Sequence, residues 1–83
     1  MAAPLGPRAC SVKPQEDYSI LIRFNNGELR EYDAKPLLSR GIFSALEDIS
    51  LFMQAHLEAG TVVWNDDLDI APELLYEQSV LVE

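Results

Sequence analysis

The segment from Tyr18 to Asp33 narrows the folds open to this chain more than any other. Tyr18, Ile20, Ile22 and Phe24 alternate with Ser19, Leu21 and Arg23, the period of two expected of a strand with one face on a core. Asn25-Asn26-Gly27 follows and leads into Glu28 to Asp33. An Asn-Gly pair between β-rich runs is the strongest short-range hairpin signal, because both residues tolerate the positive φ of a type I′ turn. A two-residue turn sets Phe24 opposite Leu29 and extends the apolar face, at the cost of setting Arg23 opposite Arg30. A three-residue turn removes that like-charge pair and moves Tyr32 onto the face of Ile20. The two-residue register is the expectation. Ala9 to Lys13 adds a candidate strand that Pro14 would end.

Further along, Pro36-Leu37-Leu38-Ser39-Arg40 reads as a helical turn, with Gly41 suited to the left-handed position past its end. Ile42, Phe43 and Leu46 are expected to drop onto the core. Asp48 is a good N-cap for a short helix through Phe52-Met53-Gln54, with Ile49 and Phe52 on one face. So short a helix needs packing to persist. Ala55 to Glu58 and Thr61 to Trp64 flank Ala59-Gly60 as a second hairpin. Its register puts Ala55, Leu57, Val62 and Trp64 on one face, and His56, Glu58, Thr61 and Val63 on the other. Asn65 to Ile70 reads as an acidic loop, and Pro72 opens a last helix through Ser79. The fold class is α+β: a small, mostly antiparallel sheet built from two hairpins with short helices packed against it. Residues 1–7, with Pro4, Gly6 and Pro7, read as a flexible tail, and residues 8–83 as a single domain.

The 83 residues suffice for one modest core. A domain this small buries only about 60% of its unfolded surface, so self-association is compatible with its marginal stability. No apolar run approaches a membrane span, and the start lacks the basic and apolar regions of a signal peptide, so the expected location is cytoplasmic. Cys10 is the one cysteine, which excludes an internal disulfide and a cysteine-rich zinc site.

Charge is distributed unequally. All six basic residues (Arg8, Lys13, Arg23, Arg30, Lys35 and Arg40) lie in the first 40 residues, beside five acidic ones. From Gly41 onward there are nine acidic residues and no lysine or arginine, and the whole chain is at −8. Such a surface repels phosphate backbones and anionic lipid and attracts basic partners.

Taken in order, Val12-x-Pro14, Tyr18-x-Ile20-x-Ile22-x-Phe24-x-Asn26-Gly27-Glu28-x-Arg30-x-Tyr32-Asp33, Pro36-Leu37-Leu38-x-x-Gly41-x-Phe43-x-x-Leu46-x-Asp48, Phe52, Gly60-Thr61-Val62-Val63-Trp64 and Asp67-x-Asp69-Ile70-x-Pro72-Glu73-x-Leu75-Tyr76 form a distinctive pattern. It resembles a family of small bacterial proteins known only as a domain of unknown function. The resemblance runs from about Val12 to Ser79 and implies a small α+β domain with mostly antiparallel strands. Some family members carry a helix-turn-helix DNA-binding domain after this one, and the expectation for this chain is that such a domain is missing. Others accompany a second small protein in arrangements suggestive of toxin–antitoxin pairs. The resemblance supplies no catalytic or ligand-binding residues.

The residues themselves offer little chemistry. Asp66, Asp67 and Asp69 cluster, but a calcium loop also needs a glycine at its sixth position and a distal glutamate, and both are missing. A solvated acidic stretch before a helix is the better account. His56-x-Glu58 lacks the downstream cysteine pair of a zinc deaminase and reads as a surface pair. Cys10 has no clear base partner and is expected to sit in the flexible tail, no nucleophile-elbow glycines surround a serine, and no phosphate-cradling loop exists. Asp33 reads as a cap for the turn at Pro36. Arg30 belongs either on the solvent face of the hairpin or against an acid of the C-terminal half. Trp64 is a partner anchor or a core residue, and its shared face with Leu57 and Val62 favours the core.

No catalytic, cofactor-binding or metal-binding residue is therefore assigned, and the reading leans away from an enzyme. The expected function is a small acidic interaction module for a basic protein partner, with an antitoxin-like version implied by the resemblance. Its candidate contact residues are Asp66, Asp67, Asp69, Glu73, Glu77 and Trp64. The charge disfavours direct nucleic-acid binding. The alternative is a small-ligand sensor or regulatory domain, normally coupled to a DNA-binding domain that is absent here.

Overall fold

The computed structural model describes residues 7–65 and 68–82. All but Pro7 of the expected tail lies outside these, as do Asp66 and Asp67. Strands β1 (Ala9–Pro14), β2 (Ser19–Phe24) and β3 (Leu29–Asp33) form an antiparallel meander. Two short 3-10 segments, Lys35–Ser39 and Gly41–Glu47, lead to α1 (Ile49–Phe52). Strands β4 (His56–Glu58), β5 (Thr61–Asn65) and β6 (Leu68–Asp69) follow, then α2 (Pro72–Gln78) and β7 (Val80–Leu81). The expected α+β class holds, but the two hairpins belong to separate sheets. One has the order β1-β2-β3-β7 and the other β4-β5-β6. The two-residue strands β6 and β7 carry no periodicity that a sequence reading detects.

In the first sheet the three-residue turn prevails. Ile20 pairs with Tyr32, Ile22 with Arg30 and Arg23 with Leu29, so the expected pairing of Phe24 with Leu29 is corrected by one position. Gly27 takes φ +90°, while Asn25 and Asn26 keep negative φ. The Asn26 side chain accepts the Glu28 N–H at 3.0 Å. Two gains decide the register: Arg23 and Arg30 no longer face each other, and Tyr32 is buried beside Ile20.

The β1–β2 connection repeats this design. The Tyr18 N–H bonds the Gln15 carbonyl at 3.1 Å and the Gln15 N–H bonds the Ser19 carbonyl at 2.9 Å. The Asp17 carboxylate accepts from both the N–H and the hydroxyl of Ser19. Tyr18 therefore occupies the position that Gly27 fills in the next turn, at φ +67°, where an L-residue is strained by roughly 1–2 kcal/mol. Its side chain offsets that cost. The ring meets Phe52 edge-on at 5.1 Å, and the hydroxyl donates to the Glu47 carbonyl at the end of the second 3-10 segment.

The core lies between the sheets. Ile20, Ile22, Phe24 and Tyr32 from the first sheet meet Val62, Trp64 and Leu68 from the second and Ile70 just after it, with Leu37, Leu46, Phe52 and Leu75 closing the sides. In a 3-10 segment residues three apart eclipse one another. Phe43 and Leu46 accordingly pack inward, whereas Ile42 is 62% exposed, contrary to its expected place in the core. Asp48 caps α1 through the Ser50 N–H at 3.0 Å, as its sequence position implies, and the helix ends at Phe52. Ala59 and Gly60 turn the β4–β5 hairpin with φ +52° and +79°. A side-chain carbon at residue 60 would lie 2.7 Å from the Arg8 Cδ, so that glycine meets a steric demand as well as a backbone one.

Tyr18 gives a stability test. Tyr18→Ala loses the packing and keeps the strain, whereas Tyr18→Gly loses the packing and relieves it. Urea denaturation should find both variants less stable than the native chain, with the glycine variant about 1 kcal/mol above the alanine one.

Candidate partner-binding surface

Every described carboxylate beyond residue 40 is exposed: Glu47, Asp48, Glu58, Asp69, Glu73 and Glu77. Asp69 sits on β6 between the buried side chains of Leu68 and Ile70, so this stretch is a short inward-anchored strand rather than the expected loop. Glu73 and Glu77 lie one helical turn apart on α2, where side chains four apart share a face. Trp64 does not join them. It is 2% exposed, donates its indole N–H to the Phe52 carbonyl at 3.0 Å and packs against the Phe43 and Phe52 rings. The core alternative of the sequence reading describes its position. Asp66 and Asp67 fall outside the described residues.

Three of the basic side chains are engaged elsewhere. Arg8 donates to the Ala59 carbonyl at 2.9 Å, and Lys35 pairs with Asp33 at 3.3 Å, whose carboxylate also caps the Lys35 N–H. Arg30 sits on the core side of β3 because it pairs with Ile22. There its guanidinium lies 4.2 Å from the Tyr76 ring centre and bonds the Ser79 hydroxyl at 2.7 Å, the Ser79 carbonyl at 2.8 Å and Glu28 at 2.9 Å. Neither expected place for Arg30 is correct. It meets the C-terminal end of α2 through a carbonyl and a hydroxyl rather than an acid, an arrangement that also suits the helix dipole. Ion pairs between described residues join Arg30 to Glu28, Lys35 to Asp33 and His56 to Glu58.

Two titrating groups stand out. The Tyr76 hydroxyl, donating at 2.6 Å, and then Arg30 hold the Glu28 carboxyl below its ordinary value of 4.5. His56 lies between two acceptors, with Nδ1 3.0 Å from the Gln54 carbonyl and Nε2 2.8 Å from Glu58. Both favour the imidazolium, so its pKa rises above 6.5. Cys10 is exposed on β1 and so belongs to the first sheet, not to the flexible tail expected for it. Among the described residues, no three His, Cys, Asp or Glu side chains converge on a metal position.

The surface also holds a groove that the sequence reading missed. Leu37, Ile42, Phe43, Ile70 and Leu74 line an open depression of about 400 Å³, with Arg40 and Asp69 as its charged members. It runs between the 3-10 segments and the start of α2. Adjacent to it, Ile42, Ala45, Asn65 and Leu68 line a second depression of about 270 Å³. The available signal was the consecutive pair Ile42-Phe43, since the two cannot both face inward from one 3-10 turn.

Comparison with known proteins adds a fold and a family. A family described as "Protein of unknown function (DUF2442)" matches residues 9–80. A solved structure described as "Putative DNA Binding Protein NE0471 from Nitrosomonas europaea ATCC 19718" superposes with a TM-score of 0.78 at 22% identity. The match covers 94% of this chain and 52% of that one, so the chain spans about half the length of that protein. No curated protein matches.

Both titrations are open to measurement. NMR titration of the His56 ring should give a midpoint above 6.5, and Glu58→Gln should lower it. Its stabilising contribution is complete below 6.5 and disappears as pH rises through the raised midpoint. Glu28 behaves oppositely: its contribution is present above 4.5 and lost as pH falls through the depressed value. Denaturation at pH 7 and pH 3 should show a smaller acid-side loss of stability for Glu28→Gln than for the native chain.

Proposed function

The chain belongs to the family described as protein of unknown function (DUF2442), and we propose that this member is a cytoplasmic interaction module that binds a basic protein. One observation carries the reading. The six described carboxylates beyond residue 40 face solvent, while Arg8, Arg30 and Lys35 are engaged by backbone carbonyls, a serine hydroxyl or acids of their own half. An anionic surface of this kind steers a cationic partner during encounter and selects against anionic ones. The antitoxin-like version makes that partner a small basic protein encoded beside this one. No helix among the described residues is long and apolar enough to cross a membrane.

Direct DNA binding is disfavoured by the net charge of −8, because phosphate contacts supply most of the affinity of nucleic-acid binders. A role in regulation would then run through a separate DNA-binding partner.

The test is affinity capture from the native lysate at roughly 50 mM salt, with an unrelated protein of equal net charge as the control. The expected result is a specifically retained basic protein whose affinity for the purified chain falls steeply as salt rises. Retention of no basic protein beyond the control, or nanomolar binding to duplex DNA in a gel shift, overturns the reading.

A further inference from the structure

We propose that the groove between the 3-10 segments and α2 docks an amphipathic, positively charged segment of the partner protein, with Ile42 as the ridge on which that segment sits. This inference rests on the interaction-module reading and adds to it the place of contact. The ridge has a backbone cause. Gly41 turns the corner at φ +46°, and the following 3-10 turn packs Phe43 and Leu46 inward. Ile42 is thereby left 62% exposed and Leu74 on α2 36% exposed across the groove. A lone exposed isoleucine means little, but this one borders two depressions with apolar walls, of about 400 Å³ and 270 Å³. The two depressions meet at Ile42 and so offer one adjoining apolar surface that a partner can cover.

Charge complementarity selects the occupant. Asp69 lines the groove. Glu73 is the neighbour of Leu74 in sequence, and Glu77 lies three residues beyond Leu74 on the same side of the helix, both exposed. The groove wall itself holds one acid and one base, Asp69 and Arg40, and Glu73 and Glu77 add two exposed carboxylates on the helix that carries Leu74. An apolar centre with a charged rim is the anatomy of a protein–protein contact, in which a few central side chains carry most of the binding. Two apolar side chains of the segment straddle Ile42 and fill the depressions, while a lysine or arginine beside them meets Asp69, Glu73 and Glu77. Arg40 sets the orientation, because the positive charge of the segment must point away from it.

The test selects random peptides of about 14 residues on the immobilised chain by display. The enriched peptides are then labelled, and their binding is measured by fluorescence anisotropy. Peptides with two apolar residues next to lysine or arginine are expected, and Ile42→Glu should weaken their binding at least about tenfold. Combined Asp69→Asn and Glu73→Gln should flatten the salt dependence, whereas Glu58→Gln should leave binding unchanged. Ile42→Ser, a milder change at an exposed site, guards against loss of folding and should also weaken binding. Basic peptides indifferent to both Ile42 variants overturn the groove and leave the interaction-module reading standing. Enriched peptides without basic residues overturn both. A dimer seen by sedimentation that Ile42→Glu dissociates overturns the proposed occupant in favour of a second copy of the chain.

Discussion

The guanidinium of Arg30 joins the opening hairpin to the closing helix, and much of the remaining architecture follows from where it lies. Once the turn after Phe24 takes three residues, Arg30 shares a face with Ile22 and points under α2. A half-buried cation there is costly unless it is hydrogen-bonded and its charge is met. Ser79, Glu28 and the face of Tyr76 do this. The same contacts stop α2 at Ser79, whose hydroxyl returns to the Tyr76 carbonyl, and they release the chain into β7 alongside β3. Tyr76 completes the joint by packing edge-on against Phe24 at 5.0 Å. The two halves, so unequal in charge, are thus united by apolar packing and by arginines, Arg30 and Arg8, that bond carbonyl and hydroxyl groups.

That economy bears on function. An arginine spent on a helix terminus does not neutralise a distant carboxylate, and the described acids of the second half lie exposed. The likeness to the Nitrosomonas europaea structure is a likeness of fold at 22% identity, and it assigns no site to this chain. Its partner chemistry has to be argued from its own residues, which set Asp69 on one side of an apolar groove and Arg40 on the other.

Much of the fold was legible in the sequence where the signals were local. The alternation from Tyr18 to Phe24, the Asp48 cap, the Ala59-Gly60 turn and the proline opening α2 each act within a few residues, and each was read correctly. The hairpin register was not, because Asn-Asn-Gly accommodates either turn length. Contacts distant in sequence made the choice: the burial of Tyr32 and the company that Arg30 finds on α2. Strands of two residues, such as β6 and β7, have too little length to display a period. Of the candidate site, the exposed acids of β6 and α2 were anticipated, whereas the groove was not. It depends on the 3-10 geometry at Ile42, which hydrophobicity alone reads as core.

The contact between Arg8 and Gly60 reaches beyond this molecule. The first residues of β1 clamp the β4–β5 turn through the Ala9 N–H on the Gly60 carbonyl, with the Arg8 side chain lying where a methyl group at residue 60 would stand. Positions 8 and 60 are therefore expected to depend on each other. Among homologues sharing this clamp, a larger residue at the second should be accompanied by a shorter one at the first, so the two alignment columns ought to change together although 51 residues of chain lie between them.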